Sequence, residues 1–490
     1  MDSKKAFFII LLLPLIYFPI FLHLDSLPFR VWDEAYLATH TYEMMQDHDY
    51  LIPHSFGQPE MSNTKPPLVI WCMVASCKLL GFNELGIRFP NALAGVVICF
   101  IVFFFCTSVF DSPLKGFFSA VILVSTAGLV RLHVLRSGEY DAFLVMFITI
   151  YCFSYFLILE GNSDKRRQLW LIFTLSMIGA ILTKGIAALL VSPALIIYSL
   201  IRRKLKPFLK QKEVYISTFL IVLFGLGYYL LREHYNPGYI QAVRENELGG
   251  RYSVSMIKSG PFDYLIAIVT NEFRYWLIFA LIGIYINLRS QDQRVKNFTI
   301  FCSLVVTVQL TVISYGSTHL GWYDAPIFPF LAIMAAFGLS SILDLFFKYK
   351  SSLQKPSAIR KYIAIAFVLA VTLPSYLNII AHDLASPWEK WNSSEFLVYY
   401  IKMREKKGMN LNGMKIINDS SLERALICQT KVSGLSLKNV QIGAGINSLI
   451  PGDTVIVGQE DQKEELRKRF ALKNMDTYND VNVLLLMDRK

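Results

Sequence analysis

Apolar runs long enough to cross a bilayer recur along this chain, and they constrain its fold more than any other feature. They lie at roughly 6–24, 90–110, 114–131, 141–159, 168–183, 185–201, 214–231, 264–287, 298–315, 323–347 and 362–381. A helix needs about 20 apolar residues to span a hydrocarbon core. Only helices and closed barrels satisfy every backbone polar group inside lipid. Runs of this length exclude a barrel strand, so the expectation is a polytopic α-helical membrane protein with about 11–13 spans. Composition agrees, with 54% hydrophobic residues and 14% aromatics. The first run, after Lys4 and Lys5, is followed by HLDSLPFR and no small-residue cleavage site. It reads as an uncleaved first span.

The net charge of +11 would raise nucleic acid as a partner in a soluble protein. Here the Lys and Arg residues sit where cytoplasmic loops need them. Alternate segment ends carry Lys4/Lys5, Lys115, Lys165-Arg166-Arg167, RRKLKPFLKQK (202–212), Arg289/Arg294/Lys296 and the basic stretch 348–361. These six ends fall on one side, which makes the N-terminus cytoplasmic and nucleic acid an unneeded partner. The opposite, extracytoplasmic side receives 25–89, 132–140, Thr183–Lys184, 232–263, 316–322 and everything after about 382. Most of the acids, histidines and tyrosines outside the apolar runs lie there. The seven cysteines show neither metal-type spacing nor a disulfide framework.

Two domains follow from the pattern. Residues 1–384 form the membrane domain. Its first outer loop, 25–89, contains EAYLATHTYEMMQD and PPLVIWCMVASCKLLG, both with helical apolar spacing suited to the membrane surface. Residues 385–490 alternate short β-rich runs with charged helical ones, as in MKIIND, GDTVIVG, QKEELRKRF and VNVLLLMDR. That suggests a small extracytoplasmic α/β domain.

The outer face collects carboxylates near cations. Asp33 and Glu34 open the first surface helix, where acids also complement a helix dipole. Lys65 precedes a tandem proline and a helix start, a position that favours an anionic ligand over a lysine. Asp141 begins an apolar run, with Arg136 and Glu139 close enough in sequence to pair with it. Lys184 stands between two runs, Glu245 and Glu247 in AVRENELGGRYS, and His319 and Tyr323 in THLGWYD. Carboxylates can take a proton from a hydroxyl, and cations can hold a departing phosphate. Membrane helices give a lipid tail a place to lie. No P-loop or dinucleotide fingerprint is present.

In order, these motifs resemble GT-C glycosyltransferases of the aminoarabinose lipid A transferase and protein O-mannosyltransferase type. Trp32-Asp33-Glu34-Ala35 resembles the acidic motif of the first loop, and Asp49-Tyr50-Leu51-Ile52-Pro53 the D-W-I-x-P that follows. Thr64-Lys65-Pro66-Pro67-Leu68-Val69-Ile70-Trp71 resembles E-K-P-P-L-x-x-W. Glu84 through Arg88-Phe89-Pro90 resembles the E-x-x-x-R-x-P element. Asp141, Leu182-Thr183-Lys184-Gly185 and Tyr323-Asp324-Ala325-Pro326-Ile327-Phe328-Pro329 complete the series over residues 1–345.

The resemblance implies a glycosyltransferase of the inner (plasma) membrane. It would move a sugar, with inversion, from a polyprenyl-phosphate carrier such as undecaprenyl phosphate to a lipid, glycan or protein acceptor. Modification of lipid A or of another envelope glycan is the implied setting. Asp33 would be the catalytic base, with Asp141 and Glu34 as further acids. Lys65 would contact the donor phosphate. Arg136, Lys184, His319, Tyr323, Tyr36 and Arg88 complete the expected substrate-binding set. Thr64 stands where the pattern has a glutamate, which removes one ligand from any divalent-metal site there. The resemblance fixes no cofactor and leaves a divalent metal open. His319 replaces a late lysine, and Tyr36-Leu37 an arginine-tyrosine pair. Two other readings stay open. A transporter of lipid-linked sugars would call for inverted repeats or helices broken at mid-membrane, and neither is legible. A non-catalytic scaffold would have no use for Asp33, Lys65 and Asp141 together.

Overall fold

A computed structural model describes residues 3–31, 33–131, 133–161, 165–250, 260–348, 358–385, 393–407, 413–417, 441–442, 444–478 and 481–489. The chain is a mostly helical, multi-pass membrane protein with a small C-terminal sheet domain. Among the described residues, eight helices are long and apolar enough to cross a membrane. A ninth span arises if Asp263–Glu272 and Leu277–Leu288, bent by 109°, are taken together. Each of the eleven apolar runs holds apolar helix, but among the described residues only eight or nine are long and apolar enough to span by themselves, against the expected 11–13.

The shortfall has local causes. The 114–131 run is helix to Val124 and, after a break, only a short helix over Ala127–Val130. Ser125 Oγ donates back to the carbonyl of Val121 and Thr126 Oγ1 to that of Ile122, a pattern that bends helices. The 185–201 run opens on Gly185, held at φ 54°. It passes through a short 3-10 turn, and its helix starts only at Ser192, with a proline just inside. The 264–287 run reads as one segment in sequence, yet it breaks at 273–276. Trp276 is buried at that corner, where its indole N–H donates to Ser125 Oγ.

The core of the membrane domain is one contiguous cluster, from Leu12 in the first helix to Ile379 in the last. Glycines bring two of its helices to backbone contact. A Cβ on Gly283 would meet the Met334 carbonyl, and one on Gly338 the Phe279 carbonyl, each at 2.0 Å. Small residues at such crossings let van der Waals contact replace the hydrophobic drive that lipid cannot supply.

The first loop builds the platform for the site. Its two expected helices are Asp33–Asp47 and Leu68–Leu80. One face of each packs on protein: Ala35, Leu37, Ala38, Val69 and Met73 are buried in one cluster with Leu397, Ile401, Ile456 and Val483 of the C-terminal region. Lys402 ties the same junction, with Nζ 2.5 Å from Glu84 and 2.8 Å from the Asp25 carbonyl.

The C-terminal sheet is mixed and five-stranded. In spatial order its strands are Gln441–Ile442, Lys415–Ile417, Thr454–Val457, Val481–Arg489 and Phe470–Tyr478. The first three run parallel, and the last two pair antiparallel. LERALICQT lies outside the described residues.

Candidate active site

Asp33 and Glu34 are consecutive, and their environments are opposite. Glu34 is fully buried, whereas Asp33 is exposed at the helix start. Glu34 accepts from Arg88 Nε and Nη2, both at 2.7 Å, and from the backbone N–H of Arg30 and of Gly138, both at 2.8 Å. Burial pushes the Glu34 carboxyl up, but the Arg88 charge and these donors bring it below the usual range. Arg88 spends its remaining donors on the carbonyls of Leu24, Leu27 and Pro28. The pair clasps the end of the first span to residues 24–30 and to Gly138, which leaves Asp33 as the accessible acid.

The segment after Leu132 brings its own groups to Asp33. Asp33, His133 and Glu139 each offer one ligand atom, and these atoms lie within 4.8 Å of one another. The His133 ring stacks on Trp322, with centroids 3.6 Å apart, and its Nδ1 lies 3.5 Å from Glu139 Oε1. Neither atom has a hydrogen-bond partner, and both are buried. Burial raises the Glu139 carboxyl well above its ordinary value, and the charges of Asp33, Glu34 and Asp141 add to the rise. Burial lowers the His133 imidazolium, against the opposing pull of Asp33 and Asp141. Two carboxylates and a neutral imidazole suit a divalent cation. Thr64 is not part of this set.

Lys65 and Lys184 stand on the other side of the site. Pro66 and Pro67 lead into the Leu68–Leu80 helix and fix the chain after Lys65. Glu60 braces the preceding turn by accepting from the N–H groups of Ser62 and Asn63 and by pairing with buried His40 at 3.3 Å. Lys65 Nζ lies 5.3 Å above the Tyr140 ring and 3.8 Å from Glu247. Lys184 is buried at the end of its helix, where Nζ donates to Asp141 at 2.6 Å and faces the Tyr323 ring at 5.3 Å. Two cavities meet here. One is an apolar groove of about 540 Å³, running past Ile221, Val222, Leu226 and Tyr229 to Thr64, Lys65 and Lys184. The other is a smaller, more polar pocket lined by Asp141, Lys184, Gln309, Thr318 and Tyr323.

The structure thus gathers Asp141, Lys65, Lys184 and Tyr323 around the two cavities, and it sets Asp33 beside His133 and Glu139. It places the others elsewhere. Arg136 donates to the carbonyls of Pro19, Ile20 and Leu22, closing the end of the first helix. Tyr36 packs edge-on against His40. His319 pairs with Asp263 at 3.6 Å and with the Gly316 carbonyl. Arg88 and Glu34 form the clasp. His133 and Gln309 carry polar atoms into the site and escaped the sequence reading. The signal for His133 was present, because RLHVLRSGEYD is a short polar link between apolar runs. Gln309 lies within an apolar helix and has no such mark.

This helical scaffold has the fold of solved GT-C-type glycosyltransferases, the type that the motifs resemble. The Dolichyl-phosphate-mannose-protein mannosyltransferase family model matches residues 64–228. The ArnT of Cupriavidus metallidurans, solved with undecaprenyl phosphate bound, superposes with a TM-score of 0.69 at 15% identity, over 98% of this chain and 97% of that one. Among sequence relatives, the undecaprenyl phosphate-alpha-4-amino-4-deoxy-L-arabinose arabinosyl transferase of Aeromonas hydrophila is 29% identical over 38% of this chain and 33% of its own length. An Aquifex aeolicus protein of uncharacterised function is 22% identical over 64% of this chain and 60% of its own. The chain thus spans about 60% of the one relative and a third of the other.

Proposed function

We propose that this chain is an inverting glycosyltransferase. It moves a sugar from a polyprenyl-phosphate carrier to a hydroxyl or phosphate on a lipid, glycan or protein at the extracytoplasmic face of the inner membrane. The observation that carries this reading is the apolar groove ending on Lys65 and Lys184, with Asp141 bonded to Lys184. The groove suits the prenyl chain. The two ammonium groups suit the phosphate, whose charge grows as the sugar leaves. The undecaprenyl phosphate held by the Cupriavidus ArnT supports a carrier of this class.

In this mechanism Asp33 takes the proton from the acceptor hydroxyl as its oxygen attacks the anomeric carbon. The bond from that carbon to the phosphate oxygen breaks on the opposite side, and its electron pair leaves with the phosphate. A single displacement inverts the centre. Asp141 orients Lys184, and the Glu34–Arg88 clasp fixes the helix start that carries Asp33. A divalent cation held by Asp33, His133 and Glu139 would supply Lewis-acid polarisation of the acceptor oxygen. The charge distribution supports domains 1–384 and 385–490, with the second outside the cytoplasm.

The test uses the purified chain in lipid nanodiscs, synthetic polyprenyl-phosphate sugars and envelope lipid and glycan acceptors. Mass spectrometry follows donor and product. The expected result is loss of the lipid-linked donor and an acceptor gaining one sugar. Transfer from a nucleotide sugar alone, or no transfer from any lipid-linked donor, contradicts the proposal.

A further inference from the structure

Thr64 stands where a glutamate precedes the lysine in the resembling proteins. A carboxylate reaches this point from elsewhere in the chain. Thr64 Oγ1 donates to Glu247 Oε1 at 3.3 Å, and Lys65 Nζ lies 3.8 Å from the same oxygen. Glu247 comes from the one-turn segment Arg244–Gly250, more than 180 residues away in sequence. Two bonds hold that region to the first loop: Asn246 Nδ2 to the Met61 carbonyl, and Tyr239 OH to the Thr64 carbonyl. Glu247 and Lys184 line both the apolar groove and the inner pocket, so they stand at the passage between them.

A hydroxyl and an ammonium converging on one carboxylate oxygen form an anion subsite. A lipid phosphate brought to Lys65 would meet the Glu247 charge at a few ångströms, and two anions at that separation repel. We infer that Glu247 is the resident counter-ion of the donor-phosphate site. Its carboxylate occupies, on Thr64 and Lys65, the place the phosphate takes, and it withdraws when the donor binds. Gly249 and Gly250 follow after Leu248, and glycine permits the backbone change that withdrawal needs. The segment is π-helical, a geometry that is rare and recurs at functional sites. Thr64 Oγ1 then becomes a phosphate donor in its own right. The inference rests on the proposed use of a polyprenyl-phosphate donor.

Binding of polyprenyl phosphate and of polyprenol to the full chain in nanodiscs tests it at low and high salt. Glu247→Gln keeps the size and the acceptor for Thr64 but removes the charge. It should tighten polyprenyl phosphate roughly three- to tenfold, leave polyprenol unchanged, and lose part of this gain at high salt through screening. Lys65→Ala should weaken polyprenyl phosphate alone. Unchanged or weaker phosphate binding in Glu247→Gln, with the Lys65 effect intact, overturns the counter-ion role and leaves the donor reading standing. Equal tightening of both lipids also overturns it, because the effect would then be steric. If wild type binds the two lipids alike and Lys65→Ala changes nothing, the donor reading fails and the counter-ion role with it.

Discussion

Asp33 and Glu34 show how far a residue's role depends on one step along a helix. Successive positions point about 100° apart, so one acid faces the site and the other faces Arg88. The sequence carries both acids but not that division, because Arg88 is 54 residues away. The same holds for Glu139, legible in sequence only as a partner for Asp141. Its buried carboxyl sits among three other acids that push its pKa well above the ordinary value. Its raised pKa makes the folded state most stable where Glu139 is protonated. That contribution is full below the unfolded value of about 4.3 and is lost as pH rises through the folded one. Glu139→Gln mimics the protonated form. With a chelator present, thermal unfolding of the variant should stay flat from neutral to alkaline pH, while the wild type falls away from it. Parallel curves would refute the buried-acid account.

At the scale of elements, most of the helices could be read from apolar periodicity, and the breaks could not. Ser125, Thr126 and Gly185 interrupt runs whose composition reads as continuous, because one back-bonding hydroxyl or one left-handed glycine changes hydropathy very little. The two helices of the first loop were legible as helices, but the protein partner of their apolar faces was not. The apolar faces that suggested a membrane surface are covered by residues some 320 to 450 positions later in the chain. The contact between Leu277–Leu288 and Phe328–Lys348 depends on two glycines with no room for a methyl. Gly283→Ala should lower stability by about 1–3 kcal/mol or more through overpacking. Gly227→Ala, where a Cβ meets nothing within 4 Å, should be tolerated. Thermal unfolding in one detergent measures both, and equal midpoints would mean the close crossing is not real.

For the whole molecule, alternating Lys and Arg clusters set the expected topology, and the outer-face polar residues follow from it. The C-terminal region shares a buried cluster with the first loop and anchors it through Lys402. The two must therefore lie on the same side of the membrane. A reporter active only outside the cytoplasm, fused after Lys490, should be active, and activity of a cytoplasm-only reporter there would reverse the orientation.

The central claim is that the outer end of the first span carries the base of a sugar transfer. Asn caps a helix as well as Asp, so a purely structural Asp33 would tolerate the change. An amide cannot accept the proton, so a base would not. Turnover of a polyprenyl-phosphate sugar should fall by about a hundredfold or more in Asp33→Asn, with the unfolding midpoint of the purified protein unchanged. Near wild-type turnover in that variant would contradict the account.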